Sequence, residues 1–148
     1  MIKRKEQYKE IPELTIKTQT RVRFNETDSL GIVWHGNYLT YFEDGREAFG
    51  RQHGISYLHV KENGYATPIV KSSCEHKLTV KYGDVLTIET KYFDTPAAKI
   101  VFKFNIYNQN DELVCTGETV QVFVDENGDL ALTLPDFVVN WKKKIGLL

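Results

Sequence analysis

Between Thr15 and Phe24 the chain alternates: Ile16, Val22 and Phe24 fall on one parity, with Thr and basic residues between them. A two-residue period is that of a half-buried β-strand. Residues 25–31, NETDSLG, break it with turn formers. From Asn37 to about His53 the spacing changes. Tyr38, Tyr41, Phe42, Gly45, Ala48 and Phe49 recur at three- and four-residue intervals, which predicts one helix with an apolar, aromatic face. Asn37 suits its N-cap and Gly54 its C-terminal stop. The aromatics and the internal glycine lower helix propensity. Such a helix needs burial under a sheet, and Gly45 leaves room for a strand to come close.

SYLHVKENG (56–64) reads as a short helical turn or a loop. Strand patterns then dominate. ATPIVKSSCEHKLTV (66–80) is one long strand with Pro68 at its start, where a missing donor is tolerated. VLTIETKYF (85–93), KIVFKFNIY (99–107) and ELVCTGETVQVFVD (112–125) follow, separated by the turns KYGD, DTPAA and NQND. Gly117 marks a bulge or a close approach. LPDFVVNWKKKIG (134–146) predicts a short C-terminal helix, with Pro135 near its start and Asp136 in its first turn. The order predicts an α+β fold: a curled antiparallel sheet of about five strands, run as a meander, around one long central helix. Such a layer leaves a sheet edge and one face uncovered, and pairing of two copies would cover both.

At 148 residues the chain fits a single domain, 1–148, with residues 1–14, charged and interrupted by Pro12, as a loose lead-in. A formal net charge of −1 gives no reason to expect nucleic acid or an anionic membrane as partner. The basic runs at 3–5 and 142–144 read as solvated ends. Cys74 and Cys115 lack metal-ligand spacing. The N-terminus has no apolar core of a signal peptide, and no apolar run could span a bilayer. The expectation is a cytoplasmic protein with reduced thiols.

The segment DSLGIVWHGNY (28–38) resembles the hallmark of hot-dog-fold acyl-CoA thioesterases, most closely the 4-hydroxybenzoyl-CoA thioesterase type. It offers Asp28, Gly31, Ile32, Val33, Trp34, His35, Asn37 and Tyr38 in the family's order. The likeness continues through YFEDGREAF, ATPIV and YGDVLTIET, and spans about residues 16–125. It implies a hot-dog fold and hydrolysis of an acyl-CoA to free acid and CoA-SH. It also implies a homodimer or homotetramer with sites at the dimer interface, and no cofactor beyond the CoA of the substrate.

Thioester hydrolysis needs a nucleophile or base, a donor for the carbonyl oxygen, and a leaving thiolate, which departs with little help. By the resemblance Asp28 attacks the carbonyl or activates water. The first N–H groups of a buried helix have no intrahelical partner, so those of His35, Gly36 and Asn37 are placed to polarise the carbonyl. By the resemblance His35 donates its backbone amide to the thioester oxygen, with an accessory role left open for its imidazole, and Gly36 has no side chain to block the ligand. By the resemblance Gly31, Val33, Trp34, Tyr38 and Thr67 are expected around the substrate, with Thr67 lining the acyl pocket from the next strand, in many relatives across the dimer interface. Lys99, near Lys91 and Lys103, is the candidate for CoA phosphate. Plainer readings exist for several of these. Asp28 also fits an ordinary turn position, Trp34 simple packing, and Glu43 with Arg46 a local ion pair on the helix. Glu43 or Asp44 is the substitute base. His53, His59 and His76 read as surface or strand histidines, and neither cysteine has a neighbouring histidine to activate it. A non-catalytic acyl-CoA-binding module and a hydratase or dehydratase are the competing functions.

Overall fold

The computed structural model describes residues 8–148. Its order is β1 (Lys9–Arg21), a single 3-10 turn (Phe24–Glu26), α1 (Asn37–His53), α2 (Tyr57–Glu62), β2 (Tyr65–Ala66), β3 (Ile69–His76), β4 (Val85–Asp94), β5 (Lys99–Tyr107), β6 (Leu113–Val122), β7 (Val124–Asp125) and α3 (Asp136–Lys144). Five strands form one antiparallel sheet in the order β1-β4-β5-β6-β3, and β2 pairs with β7. The α+β expectation of one main helix against a five-stranded sheet is met. No helix among the described residues is long and apolar enough to cross a membrane.

Three expectations about the strands need correcting. The meander holds only for β4, β5 and β6; β3 pairs with β6 and not with β4, and β1 takes the place beside β4. Residues 9–14 belong to β1 rather than to a loose lead-in, while residues 1–7 lie outside the described residues. Pro12 is carried there by a register shift between Glu10 and Thr15, where no ladder donor is needed. The long strand at 66–80 is divided into β2 and β3, with Lys77 to Thr79 outside the ladder.

The helix α1 is buried as its aromatic spacing predicts. Tyr38, Tyr41, Phe42 and Phe49 are all within the core. Phe42 stacks on Phe104 of β5 at 4.6 Å, and Phe49 meets Phe102 edge-on at 4.9 Å. Two glycines permit this approach. A Cβ on Gly45 would overlap the Thr90 hydroxyl of β4, and one on Gly117 of β6 would overlap the Phe42 ring. Strand and helix backbones therefore meet at distances that a methyl group would prevent.

A polar cluster lies on the same helix. Arg46 is buried and does not pair with Glu43 as the spacing predicted. Its Nε donates to Gln121 Oε1 (3.0 Å) and its Nη1 to the Ile55 carbonyl (3.0 Å). The guanidinium faces the rings of Tyr57 and Phe102 at 4.9 and 5.0 Å. Burial lowers the Arg46 pKa from its ordinary value. Glu43 instead accepts the Tyr57 hydroxyl at 2.8 Å. At the far end of α1, α3 is held by Trp141 Nε1 donating to the His53 carbonyl and by Lys142 bridging Asp94 and the Thr95 carbonyl at 2.8 Å.

The Gly117 contact yields a prediction. In Gly117→Ala the new Cβ also stands 2.8 Å from the Ser73 carbonyl oxygen, which is backbone and cannot rotate away. Urea denaturation should show a loss of about 1–3 kcal/mol, the usual cost of overpacking. An unchanged midpoint would mean that β3 and Phe42 shift freely.

Candidate active site

Residues 27–33 fold into a tight hairpin. Thr27 and Val33 face each other in a bridge, and the Asp28 N–H donates to the Ile32 carbonyl at 2.8 Å. The Gly31 N–H closes the turn onto the Asp28 carbonyl (3.0 Å), with Gly31 at φ +79°. A left-handed residue after a tight turn is where glycine is favoured. The Asp28 side chain takes part: Oδ1 accepts the Leu30 N–H at 2.8 Å. Oδ2 makes no hydrogen bond among the described residues. Asp28 is thus both the turn residue that composition suggested and a half-buried carboxylate with one oxygen unengaged.

The return arm of the hairpin is pinned to the chain before β4. Ile32 bridges Lys81, and the buried Val33 donates to the Val80 carbonyl at 2.8 Å. The Glu26 carbonyl then accepts two donors, the Trp34 N–H (2.9 Å) and Asn37 Nδ2 (2.8 Å). These bonds set the entry angle of α1. The N-cap is Gly36 and not Asn37, and no side chain caps it. The Asn37 N–H is spent on the Trp34 carbonyl at 2.9 Å. Among the described residues, no backbone acceptor takes the N–H groups of His35 or Gly36. Of the three donors expected, two are available, at the positive end of a 17-residue helix.

The space expected above Gly36 is not open. The Trp34 indole lies over it, so a Cβ there would overlap the ring. Trp34 itself is half exposed, and its ring is 5.1 Å from that of His35. It does not line the neighbouring cavity.

That cavity has a volume of about 310 Å³. Its walls are Ile32, Val33, His35 and Tyr38 on one side and His76 to Thr79 on the other. Tyr38 is buried, and its ring meets that of His76 edge-on at 4.9 Å. Burial, with Cys115 and Cys74 nearby, pushes its phenol up to about 12, so it remains an O–H donor at neutral pH. The hairpin places the Asp28 turn directly before this wall, although Asp28 does not itself line the cavity.

An acidic turn, unspent helix N–H groups and a part-apolar cavity are the components of an acyl-transfer site. The sequence agrees at the level of family: residues 22–142 match the thioesterase-like superfamily. The chain belongs to that superfamily. YneP of Bacillus subtilis (strain 168) is 33% identical over 110 residues, which covers 74% of this chain and 80% of the relative. A 1,4-dihydroxy-2-naphthoyl-CoA hydrolase of Prochlorococcus marinus (strain MIT 9515) is 30% identical over 128 residues, covering 82% and 84%. Among solved structures, a DHNA-CoA thioesterase of Staphylococcus aureus superposes with a TM-score of 0.79 at 26% identity, covering 90% of this chain and 92% of that one. The expected hot-dog thioesterase family and a hydrolase are therefore the right class.

Within the protomer, Thr67 and Lys99 do not line this cavity. Thr67 is buried, but its carbonyl and hydroxyl receive Gln121 Nε2 at 2.7 and 3.3 Å, within the Arg46 cluster. Lys99 opens β5 at the far end of β4. Ten residues of β4 place it roughly 30 Å from the hairpin, at about 3.4 Å per residue. Conversely, His76 and Leu78 were missed. Nothing in CEHKLTV announces that the strand ends at His76; the change occurs because the Lys77 and Leu78 N–H groups both turn to the Val114 carbonyl. A neighbouring histidine was missed too: Cys74 Sγ lies 4.0 Å from His76 Nδ1. Burial pushes the Cys74 thiol up, so it is not an activated thiolate.

Gly36→Ala should drive the Trp34 ring off the helix start. Tryptophan emission should shift to the red and acrylamide quenching should rise, because the only other indole, Trp141, is buried. Unchanged emission would show that the ring and the residue beneath it are not in contact in solution.

Proposed function

We propose that the protein hydrolyses acyl-CoA thioesters to the free acid and CoA-SH, with Asp28 as the reactive carboxylate. The thioester carbonyl would lie at the mouth of the Tyr38 cavity, its oxygen facing the His35 and Gly36 N–H groups. Those two donors stabilise the charge that develops on the oxygen, and being fixed they cost no reorganisation during reaction. Asp28 Oδ2 then either adds to the carbonyl carbon, expelling CoA thiolate and leaving a mixed anhydride that water opens, or takes a proton from the attacking water. Either route ends in one carboxylic acid and one thiol, with water consumed and CoA entering only as part of the substrate. The observation that carries the reading is the pair of unspent N–H groups, placed at the start of α1 where the Asp28 hairpin returns.

The pair has a further requirement. Strand β3 is an edge of the sheet, and every residue from Ile69 to His76 is exposed or half-exposed. Val70 is 60% exposed. An eight-residue edge with apolar side chains is a template for another strand. Pairing of β3 with its copy in a second protomer would continue the sheet, and it would bring the interface to the cavity, because His76 is shared by both. We place the working unit as at least a dimer on this ground. Both cysteines are free thiols, which suits the reducing cytoplasm.

Asp28→Asn is the direct test. The amide oxygen of Asn still accepts the Leu30 N–H, so the turn and the melting curve should be kept. Turnover in a thiol-release assay, run over short, long and aromatic acyl-CoAs, should fall by about 100-fold or more. Normal turnover by the variant would remove Asp28 from the chemistry, and binding without hydrolysis by the wild type would make the protein an acyl-CoA-binding module.

The edge carries its own expectation. Val70→Lys should reduce the mass seen by sedimentation to that of one protomer and lower turnover with it. A wild type that is already monomeric and active would end the dimer reading.

A further inference from the structure

Within one protomer Lys99 lies at the end of β4 away from the hairpin, and a second set of basic and aromatic side chains lies closer to it. A second cavity, of about 470 Å³, lies beside the catalytic hairpin and is lined by Thr20, Arg21, Val22, Arg23, Phe24 and Tyr82. That size falls within the ~300–1,000 Å³ usual for small-molecule sites. Its two aromatic rings are held out in solvent. Phe24 is 77% and Tyr82 65% exposed, and the rings stand edge-to-face at 5.9 Å. The backbone that carries them is tied down. The Phe24 carbonyl accepts both the N–H and the hydroxyl of Thr27 (3.2 and 2.7 Å), and the segment before Tyr82 is pinned by the Ile32–Lys81 bridge.

Two cations frame the rings. Arg21 Nη1 donates to the Gly83 carbonyl at 3.1 Å, which sets its guanidinium beside Tyr82. Among the described residues neither Arg21 nor Arg23 is in an ion pair. The nearby carboxylates are engaged or lie to one side. Glu26 Oε1 accepts the Arg23 N–H at 2.7 Å, and Asp84 accepts the Lys81 N–H and Gln109 Nε2. Burial, with Glu26 nearby, raises the pKa of Asp44 on α1, and the charge of Arg23 partly counters this.

Rigid exposed aromatic faces recognise a base by stacking, and guanidinium groups beside them recognise phosphate. We infer that Phe24 and Tyr82, with Arg21 and Arg23, hold the adenosine 3′,5′-bisphosphate end of the thioester substrate. The inference rests on the acyl-CoA reading. The chain itself links the two sites. Thr79 lines the acyl cavity, Val80 and Lys81 hold the return arm of the Asp28 hairpin, and Tyr82 lines the second cavity. Residues 79–82 thus run from the first cavity, beside Tyr38, to the second, beside Tyr82.

The test compares two thioesters of one acyl group, the CoA ester and the pantetheine ester, which lacks the nucleotide. In Arg21→Ala/Arg23→Ala and in Phe24→Ala/Tyr82→Ala, kcat/KM for the CoA ester relative to the pantetheine ester should fall by about tenfold or more. In the same variants adenosine 3′,5′-bisphosphate should no longer inhibit competitively. Equal losses on both esters, or no change on either, would overturn the site while leaving the hydrolase intact. If the wild type cleaves neither ester, calorimetry with adenosine 3′,5′-bisphosphate still decides. Binding that the variants lose supports the site although the thioesterase reading has failed, and no binding overturns it. Sedimentation completes the set: variants that change oligomeric mass, with nucleotide binding absent in the wild type, would make the patch a contact between copies.

Discussion

The structure depends on burying a helix that would not be stable alone. α1 carries four core aromatics and two internal glycines, Gly45 and Gly50, a composition that disfavours an isolated helix. It persists because the sheet closes on it to the distance of a ring lying on a bare backbone, as Phe42 does on Gly117. Burial of the body fixes the ends. The first N–H groups of α1 must then find partners where the chain enters, and the Glu26 carbonyl and the Trp34 carbonyl serve the entering chain and Asn37. The donors of His35 and Gly36 are what this arrangement leaves over. The candidate site is in this sense a by-product of packing, set by the same constraint that builds the core.

The polar cluster on α1 illustrates a second constraint. A buried guanidinium is costly to desolvate and has to be met from several directions. Here Gln121, the Ile55 carbonyl and two ring faces meet it. Gln121 then reaches the Thr67 carbonyl, so the link between β2 and β3 is tied to the helix through one side chain. Within the protomer Thr67 is held by Gln121 and does not line the Tyr38 cavity.

Much of this was legible in the sequence, for physical reasons that also explain the gaps. The period of Tyr38, Tyr41, Phe42 and Phe49 gave the central helix, because burial demands that spacing. Alternation gave β4 and β5, where one face is buried and the other solvated. Strand pairing was not legible: the patterns of β1 and β3 are compatible with either neighbour, and only the three-dimensional closure puts β1 beside β4. The same holds for the site. Asp28 and the helix start lie in one continuous stretch and could be read together. His76, Leu78 and Tyr82 are distant in sequence and carry no local mark. Their position follows from the pinning of Val80 and Lys81 by the hairpin. Spacing along α1 suggested an ion pair between Glu43 and Arg46, but both side chains found better partners off the helix.

One wall of the Tyr38 cavity, Lys77 to Thr79, belongs to no strand or helix and hangs from a single shared acceptor, the Val114 carbonyl. The opposite wall is built from α1 and the hairpin, where each residue is committed to the core or to the helix entry. The two walls thus differ in how freely they can change. Substitutions, and even small insertions, at 77–79 reshape the cavity without disturbing the packed interior. A scaffold of this kind can vary one side of the cavity while the hairpin and helix start on the other side stay fixed.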